Sequence, residues 1–170
     1  GLLMQGITDV VVVDIDDKRL QFAANLGAKT INSSDTNLHD NLISLFGSGK
    51  GLMGDQRVGV DVYIDCVGIP TFINDVITFG KFGAKFIVVA LGDQPVTFKP
   101  QFLAMNEISL IGSAIYTPID IKEAISNIKH TDNPFPEIVS VHYPLEQSRE
   151  AFDRANTDKT MVKVVIDVNE

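Results

Sequence analysis

Cysteine occurs once in these 170 residues, as Cys66, so the chain can build neither a disulfide framework nor a cysteine-based zinc site. No apolar run approaches the roughly 18 residues that span a bilayer, and no charged-then-apolar leader opens the chain, so no membrane partner is expected. Positive charge is scarce: 14 Lys and Arg stand against 22 Asp and Glu. A net charge of −8 argues against nucleic acid, because phosphate binding draws on cations that are outnumbered here. The three histidines, His39, His130 and His142, share no metal-ligand spacing and are assigned no chemistry. Repeats and low-complexity tracts are also missing. What remains, 45% hydrophobic and 21% charged, is the composition of an ordinary soluble globular protein, with a reducing cytoplasm as its expected location. The length allows one domain, or one domain and part of another.

The most informative stretch is Val10-Val11-Val12-Val13-Asp14. Four β-branched residues without a polar face predict a strand buried on both sides, as in a parallel sheet covered by helices. Asp14 falls at the carboxyl edge of that strand, where open α/β sheets bind ligands and where an acid can accept hydrogen bonds from ribose hydroxyls. An isolated run of this kind fits a surface Asp that starts a helix equally well, and the rest of the chain has to decide.

Strand and helix signals then alternate. Gly1 to Gly6 is too short for an element of its own, although Leu2, Leu3 and Met4 suit the end of a buried helix. Asp16 caps a helix carrying Leu20, Ala23, Ala24 and Leu26, with Gly27 as its left-handed stop. Lys29 to Ile31 is a short strand, and Leu38, Leu42, Leu45 and Phe46 recur at helical spacing. Gly47 to Asp55 reads as a surface loop and not a phosphate cradle, because the P-loop spacing is absent. Val58 to Asp65 is a strand with Val60, Val62 and Ile64 interleaved with Asp61 and Tyr63. Pro70 opens a helix, Ala84 to Ala90 is a strongly apolar strand, Pro100 starts a short helix and Ile108 to Ser113 is a further strand. Strands separated by helical crossovers predict a doubly wound parallel α/β sheet. Beyond Pro118 the rhythm changes. A helix from Ile119 to Lys129, a turn over Asp132 to Pro136, a strand near Val139 to Tyr143, a helix from Leu145 to Ala155 and a strand from Val162 to Val168 suggest a return to another domain. The expected boundary lies near Tyr116.

Five blocks carry a family resemblance: VVVVDID with its Arg19 and LGA, DVYIDCVG, FGAKFIVVALG, EISLIGSAIY, and PLEQSREAFD followed by VKVVIDV. In this order and at this spacing they resemble the C-terminal half of a zinc-dependent medium-chain alcohol dehydrogenase, most similar to the threonine, butanediol and sorbitol dehydrogenase branch. The resemblance implies a Rossmann domain over residues 1–116 that lacks its first strand. Residues 117–170 would be a C-terminal segment of the GroES-like catalytic domain.

The resemblance also implies roles. Asp14 would hold both adenosine ribose hydroxyls, being a double acceptor, and would repel a 2′-phosphate, so NAD is expected over NADP. Arg19 would lie over that ribose or its adenine, though it also fits a phosphate partner or a solvated helix face. Val89, Ala90 and Leu91 would line the nicotinamide pocket; Ile115 and Tyr116 would hold the carboxamide through their backbone, with plain core packing as the alternative. Lys163 would approach the pyrophosphate, or stand as an exposed strand lysine. Cys66 and Val67 would border the adenine side, Cys66 as a small buried hydrophobe. Gly1 looks like the last glycine of the phosphate-binding turn.

The sequence departs from the family in what it omits. The first strand, the earlier glycines, the zinc ligands and the proton relay are not in these residues, so no catalytic or metal residue is nameable here. In the strand order 3-2-1-4-5-6 the missing strand is central, leaving two apolar edges to be filled by another polypeptide, most simply the N-terminal half of the same enzyme. Homo-oligomer contact is expected through the Ile108–Ser113 edge, where Ile108, Leu110 and Ile111 need cover. In the intact enzyme zinc would polarise a small-molecule secondary alcohol, which passes hydride to NAD and leaves a ketone. Alternatives are a zinc-free, NADPH-using quinone-reductase relative, a methyltransferase and a non-catalytic nucleotide-binding module.

Overall fold

β-Branched runs and amphipathic stretches alternate through the computed structural model, which describes residues 1–34, 36–129, 135–158 and 160–168. In chain order its elements are β1 (Val11–Asp14), α1 (Asp17–Asn25), β2 (Lys29–Asn32), α2 (Leu38–Phe46), β3 (Ser48–Lys50), β4 (Gln56–Val58) and β5 (Val62–Asp65). There follow α3 (Pro70–Phe79), β6 (Lys85–Val88), α4 (Pro100–Asn106), β7 (Ser109–Gly112), α5 (Pro118–Lys129), β8 (Val139–Pro144), α6 (Ser148–Thr157) and β9 (Lys163–Asp167). They form two compact units, residues 1–36 with 116–170, and residues 37–115.

In the first unit β1 pairs in parallel with β2, Val11 opposite Lys29 through Asp14 opposite Asn32. The crossover helix α1 starts at Asp16, whose side chain accepts the Arg19 N–H at 3.0 Å, and it stops at Gly27, held at φ 92. Leu20 and Ala23 are buried and Ala24 faces out. The valine strand differs from expectation: each residue of β1 is only half-buried. Its physical reason is pairing on one side alone, since no described strand bonds to β1 opposite β2. Leu3–Gln5 forms a single 3-10 turn with Leu2 and Met4 exposed, not the end of a buried helix, because Gly6 at φ 82 stops the turn at once. Further on, β8 and β9 pair in parallel and α6 bridges them, burying Ala151. The expected helix over 145–155 is divided into a 3-10 turn at Leu145–Gln147 and α6. His130 and the Asp132-Asn133-Pro134 part of the expected turn lie outside the described residues.

In the second unit β5, β6 and β7 form a parallel sheet in that order, Asp65 opposite Val88 and Val88 opposite Gly112. Its buried face carries Tyr63 and Phe86 beneath α3, whose Val76 and Ile77 are buried and whose Phe72 ring lies 5.4 Å from that of Phe86. The expected strand from Val58 to Asp65 is broken. A side chain at Gly59 would sit 2.7 Å from the Phe46 carbonyl oxygen, so the chain passes under the end of α2 there and the strand restarts at Val62. The expected surface loop from Gly47 to Asp55 is partly a hairpin, with β3 antiparallel to β4. The alternation in β5 is also reversed: Tyr63 and Asp65 are 5% and 1% exposed, whereas Val62 and Ile64 are 45% and 38% exposed. The ring of Tyr63 packs within 6.3 Å of Phe79, which claims the helix-covered side for the odd-numbered residues.

Candidate functional site

Each unit gathers part of the expected set at the carboxyl edge of its own strands. In the first unit Asp14 ends β1 with its carboxylate fixed. Oδ1 accepts the backbone N–H of Ile15 at 2.7 Å and of Asp16 at 3.0 Å, while Arg19 Nη2 stands 3.5 Å away. Oδ2 accepts nothing among the described residues and is not sealed off, since the Asp14 side chain retains 21% exposure. One oxygen orients the group and the other is left for a donor from outside. Arg19 is turned towards acids, its Nε 3.9 Å from Asp16 and buried without a hydrogen-bond partner among the described residues. The guanidinium therefore stands beside two carboxylates, those of Asp14 and Asp16.

Asn32, opposite Asp14 on β2, ties the same edge together. Its Nδ2 donates to Asp17 Oδ1 at 2.7 Å, and its Oδ1 accepts from the Ser34 N–H and hydroxyl at 2.9 and 2.6 Å. The Gly1 carbonyl accepts the Gln5 N–H at 3.2 Å, and nothing lies within 4 Å of where a Gly1 side chain would stand. Lys163 is exposed on β9, beside a shallow hollow of about 210 Å³ lined also by Ala155, Met161, Val162 and Val164. Tyr116 is exposed just before α5.

In the second unit the ends of β5, β6 and β7 lie on one edge because the strands are parallel and in register. Val67, Val89 and Leu91 are exposed there and Ala90 is half-buried. Ile115 follows β7 at φ 59, a left-handed conformation that a β-branched side chain rarely takes, and it is 89% exposed. Cys66 is exposed, correcting its expected burial: Asp65 takes the inward position, so its neighbour faces out. Asp65, Gly68 and Gly92 were missed. Asp65 Oδ1 accepts the N–H groups of Val67 and Gly68, each at 2.9 Å, and its main-chain oxygen accepts those of Val89 and Ala90, each at 3.0 Å. The turns after β5 and β6 touch at their glycines, for a side chain on Gly92 would meet the Gly68 oxygen at 2.5 Å. The signal that singled out Asp14, an acid closing an apolar strand, was also present at Asp65.

The zinc-binding dehydrogenase family model matches residues 1–130. The chain belongs to the zinc-binding dehydrogenase family. Among curated relatives it is 29% identical to an L-arabinitol 4-dehydrogenase of Penicillium rubens over 95% of this chain and 43% of that protein. It is 28% identical to a D-xylulose reductase of Scheffersomyces stipitis over 95% of this chain and 45% of that one. The chain therefore spans less than half the length of the curated relatives it matches. A solved 2R,3R-butanediol dehydrogenase from Bacillus subtilis superposes with a TM-score of 0.81 at 22% identity, over 99% of this chain and 46% of that one. An Escherichia coli alcohol dehydrogenase solved with NADH gives 0.80 at 17% identity, over 98% and 47%. These likenesses establish an α/β fold of the Rossmann type.

For a zinc-binding dehydrogenase segment the metal chemistry is notable. Among the described residues no three His, Cys, Asp or Glu side chains converge on a point that could hold an ion. His142 is engaged with Asp167 at 3.1 Å, and His39 with Asp40 at 3.1 Å. Zinc does not fit the residues described. No helix among them is long and apolar enough to cross a membrane.

Proposed function

We propose that the protein carrying this segment is an NAD-dependent alcohol dehydrogenase and that the segment supplies cofactor binding. The observation that carries the reading is Asp14: a carboxylate locked by two backbone N–H groups at a strand's carboxyl edge, with a second oxygen that accepts nothing among the described residues. A carboxylate so held offers its second oxygen to the ribose hydroxyls and disfavours a 2′-phosphate, which matches an unphosphorylated adenosine ribose. Arg19 covers the adenosine side, and Val67 borders it. Val89, Ala90 and Leu91 present apolar surface to the nicotinamide, with the Ile115 and Tyr116 backbone for its carboxamide. Gly1 and Lys163 belong to the pyrophosphate.

The substrate class is a secondary alcohol and its ketone, in keeping with the arabinitol and xylulose named for the relatives. Zinc, whose chemistry is to polarise the alcohol oxygen, is placed on residues outside this segment. The segment's domains are a Rossmann part over 1–116 and a return into the catalytic domain over 117–170. Its partners are an upstream portion of the same enzyme, which supplies a strand to the open edges of β1 and β5, and a second copy meeting it along β7. Its location is the cytoplasm.

Titrating the full-length protein with NADH and NADPH tests the reading. Tighter NADH binding, followed by NAD-dependent oxidation of polyols, is the expected result. Tighter NADPH binding would move the protein to the quinone-reductase alternative, and S-adenosylmethionine binding without NADH to the methyltransferase.

A further inference from the structure

Carboxylates inside a protein are retained at a cost, and Asp65 is 1% exposed with no ion-pair partner among the described residues. Its bonds account for its position. Through Oδ1 it holds the turn after β5, at Val67 and Gly68, and through its main-chain oxygen it holds the turn after β6, at Val89 and Ala90. Two turns on neighbouring strands are thereby fastened to one residue. They also lie against each other, with Gly68 at φ 80 pressed onto Gly92 so closely that neither position has room for a side chain. Oδ2 is buried and meets no donor among the described residues, so the fastening uses a single oxygen.

We infer that Asp65 is a positioning residue for the cofactor: it makes the turns 66–68 and 89–92 one rigid lip, set at the height the dinucleotide requires. The inference rests on the NAD reading above. It assigns to the inward side of β5 a task that the exposed residues of the lip cannot perform for themselves. Val67, Val89 and Ala90 owe their arrangement to four N–H groups, and all four end on Asp65. Removing the carboxylate frees the first pair directly and the second through the Gly68–Gly92 contact. An amide keeps the one oxygen that is used, so asparagine should preserve the lip where alanine does not.

The test uses the full-length protein and three variants, Asp65→Ala, Asp65→Asn and Gly92→Ala, read by NADH fluorescence titration and by amide hydrogen exchange. Asp65→Ala is expected to weaken NADH binding by about tenfold or more, with faster exchange at residues 67–68 and 89–90. Asp65→Asn should bind within about threefold of the parent and keep the protection. Gly92→Ala, which leaves the buried carboxylate in place but drives a methyl group against the Gly68 oxygen, should lose affinity as Asp65→Ala does. Unaltered binding by Asp65→Ala, or equal losses in Asp65→Asn and Asp65→Ala, overturns the inference. If Asp65→Ala does not fold, unaltered binding by Gly92→Ala overturns it alone. A parent protein that binds no NADH overturns the NAD reading and the inference with it, a result distinct from variants that bind as the parent does.

Discussion

Asp14 and Asp65 each close a strand of this chain, and their surroundings give them different work. Asp14 keeps one oxygen unbonded among the described residues at a partly exposed edge, which suits a ligand; Asp65 is sealed in and turns its oxygen to backbone. The first prediction follows from that difference. Asp14→Ala in the full-length protein should weaken NADH binding by about 10- to 100-fold, since it removes charge-assisted acceptors, and should narrow the preference over NADPH. Parallel titrations with the two cofactors measure both effects. Ile115 gives a second prediction at this scale. Its φ of 59 costs a branched residue about 1–2 kcal/mol that glycine would not pay. Ile115→Gly should therefore raise stability by up to about 1 kcal/mol in urea denaturation, after glycine's larger unfolded-state entropy is set against the relief. If the strained backbone serves the carboxamide, the same variant turns over more slowly.

Single strands and helices show where local rules yield to packing. β5 has the apolar alternation of a half-buried strand, yet the tyrosine and the acid point inward. Gly59 explains where the preceding strand breaks, because only a residue without a side chain passes the Phe46 and Gly47 carbonyl oxygens. Gly59→Ala should cost about 1–3 kcal/mol, read as a lower urea midpoint with an unchanged slope. Helix α5 opens with a capping pair: Asp120 Oδ2 accepts the Thr117 N–H at 2.6 Å and hydroxyl at 2.8 Å, and Asp120 N–H donates back to the hydroxyl at 3.4 Å. Those bonds, the backbone one first, hold the Asp120 carboxyl below its ordinary value of 3.8. A depressed folded value means that the cap's contribution is complete above the ordinary value and is lost as pH falls through the lower one. Far-ultraviolet circular dichroism should accordingly show fraying of α5 only in that acidic window, and Asp120→Asn should flatten the dependence.

At the scale of the molecule, β1, β5 and β7 are among the strands with a hydrogen-bonding edge that no described strand fills. Leu110 and Ile111 are exposed on β7, whereas Ile108 is already buried and needs no cover. Such edges recruit partners, correct or not. The 170-residue segment produced alone should self-associate, and co-production with the proposed upstream portion should yield a defined complex. Size-exclusion chromatography with light scattering distinguishes the two, and a stable monomer of the segment alone would count against strand completion.

Sequence alone determined the α/β alternation, the helix starts at Asp16 and Pro70, the stop at Gly27 and the strand-end position of Asp14. Each is a local matter of backbone preference, capping or periodicity, settled within a few residues. It also carried the family, because five blocks in fixed order are a long-range pattern even when each is weak. Tertiary structure decided which face of β5 turns inward, why the chain breaks at Gly59, and that Cys66 faces out. It also decided that Asp65 fastens two turns. These depend on which backbone atoms from distant positions come within hydrogen-bonding reach, and neither the period of a strand nor the identity of its last residue carries that information. The open edge of β1 is implied by the missing first strand, whereas the half-burial of its residues depends on packing partners that only the tertiary structure decides.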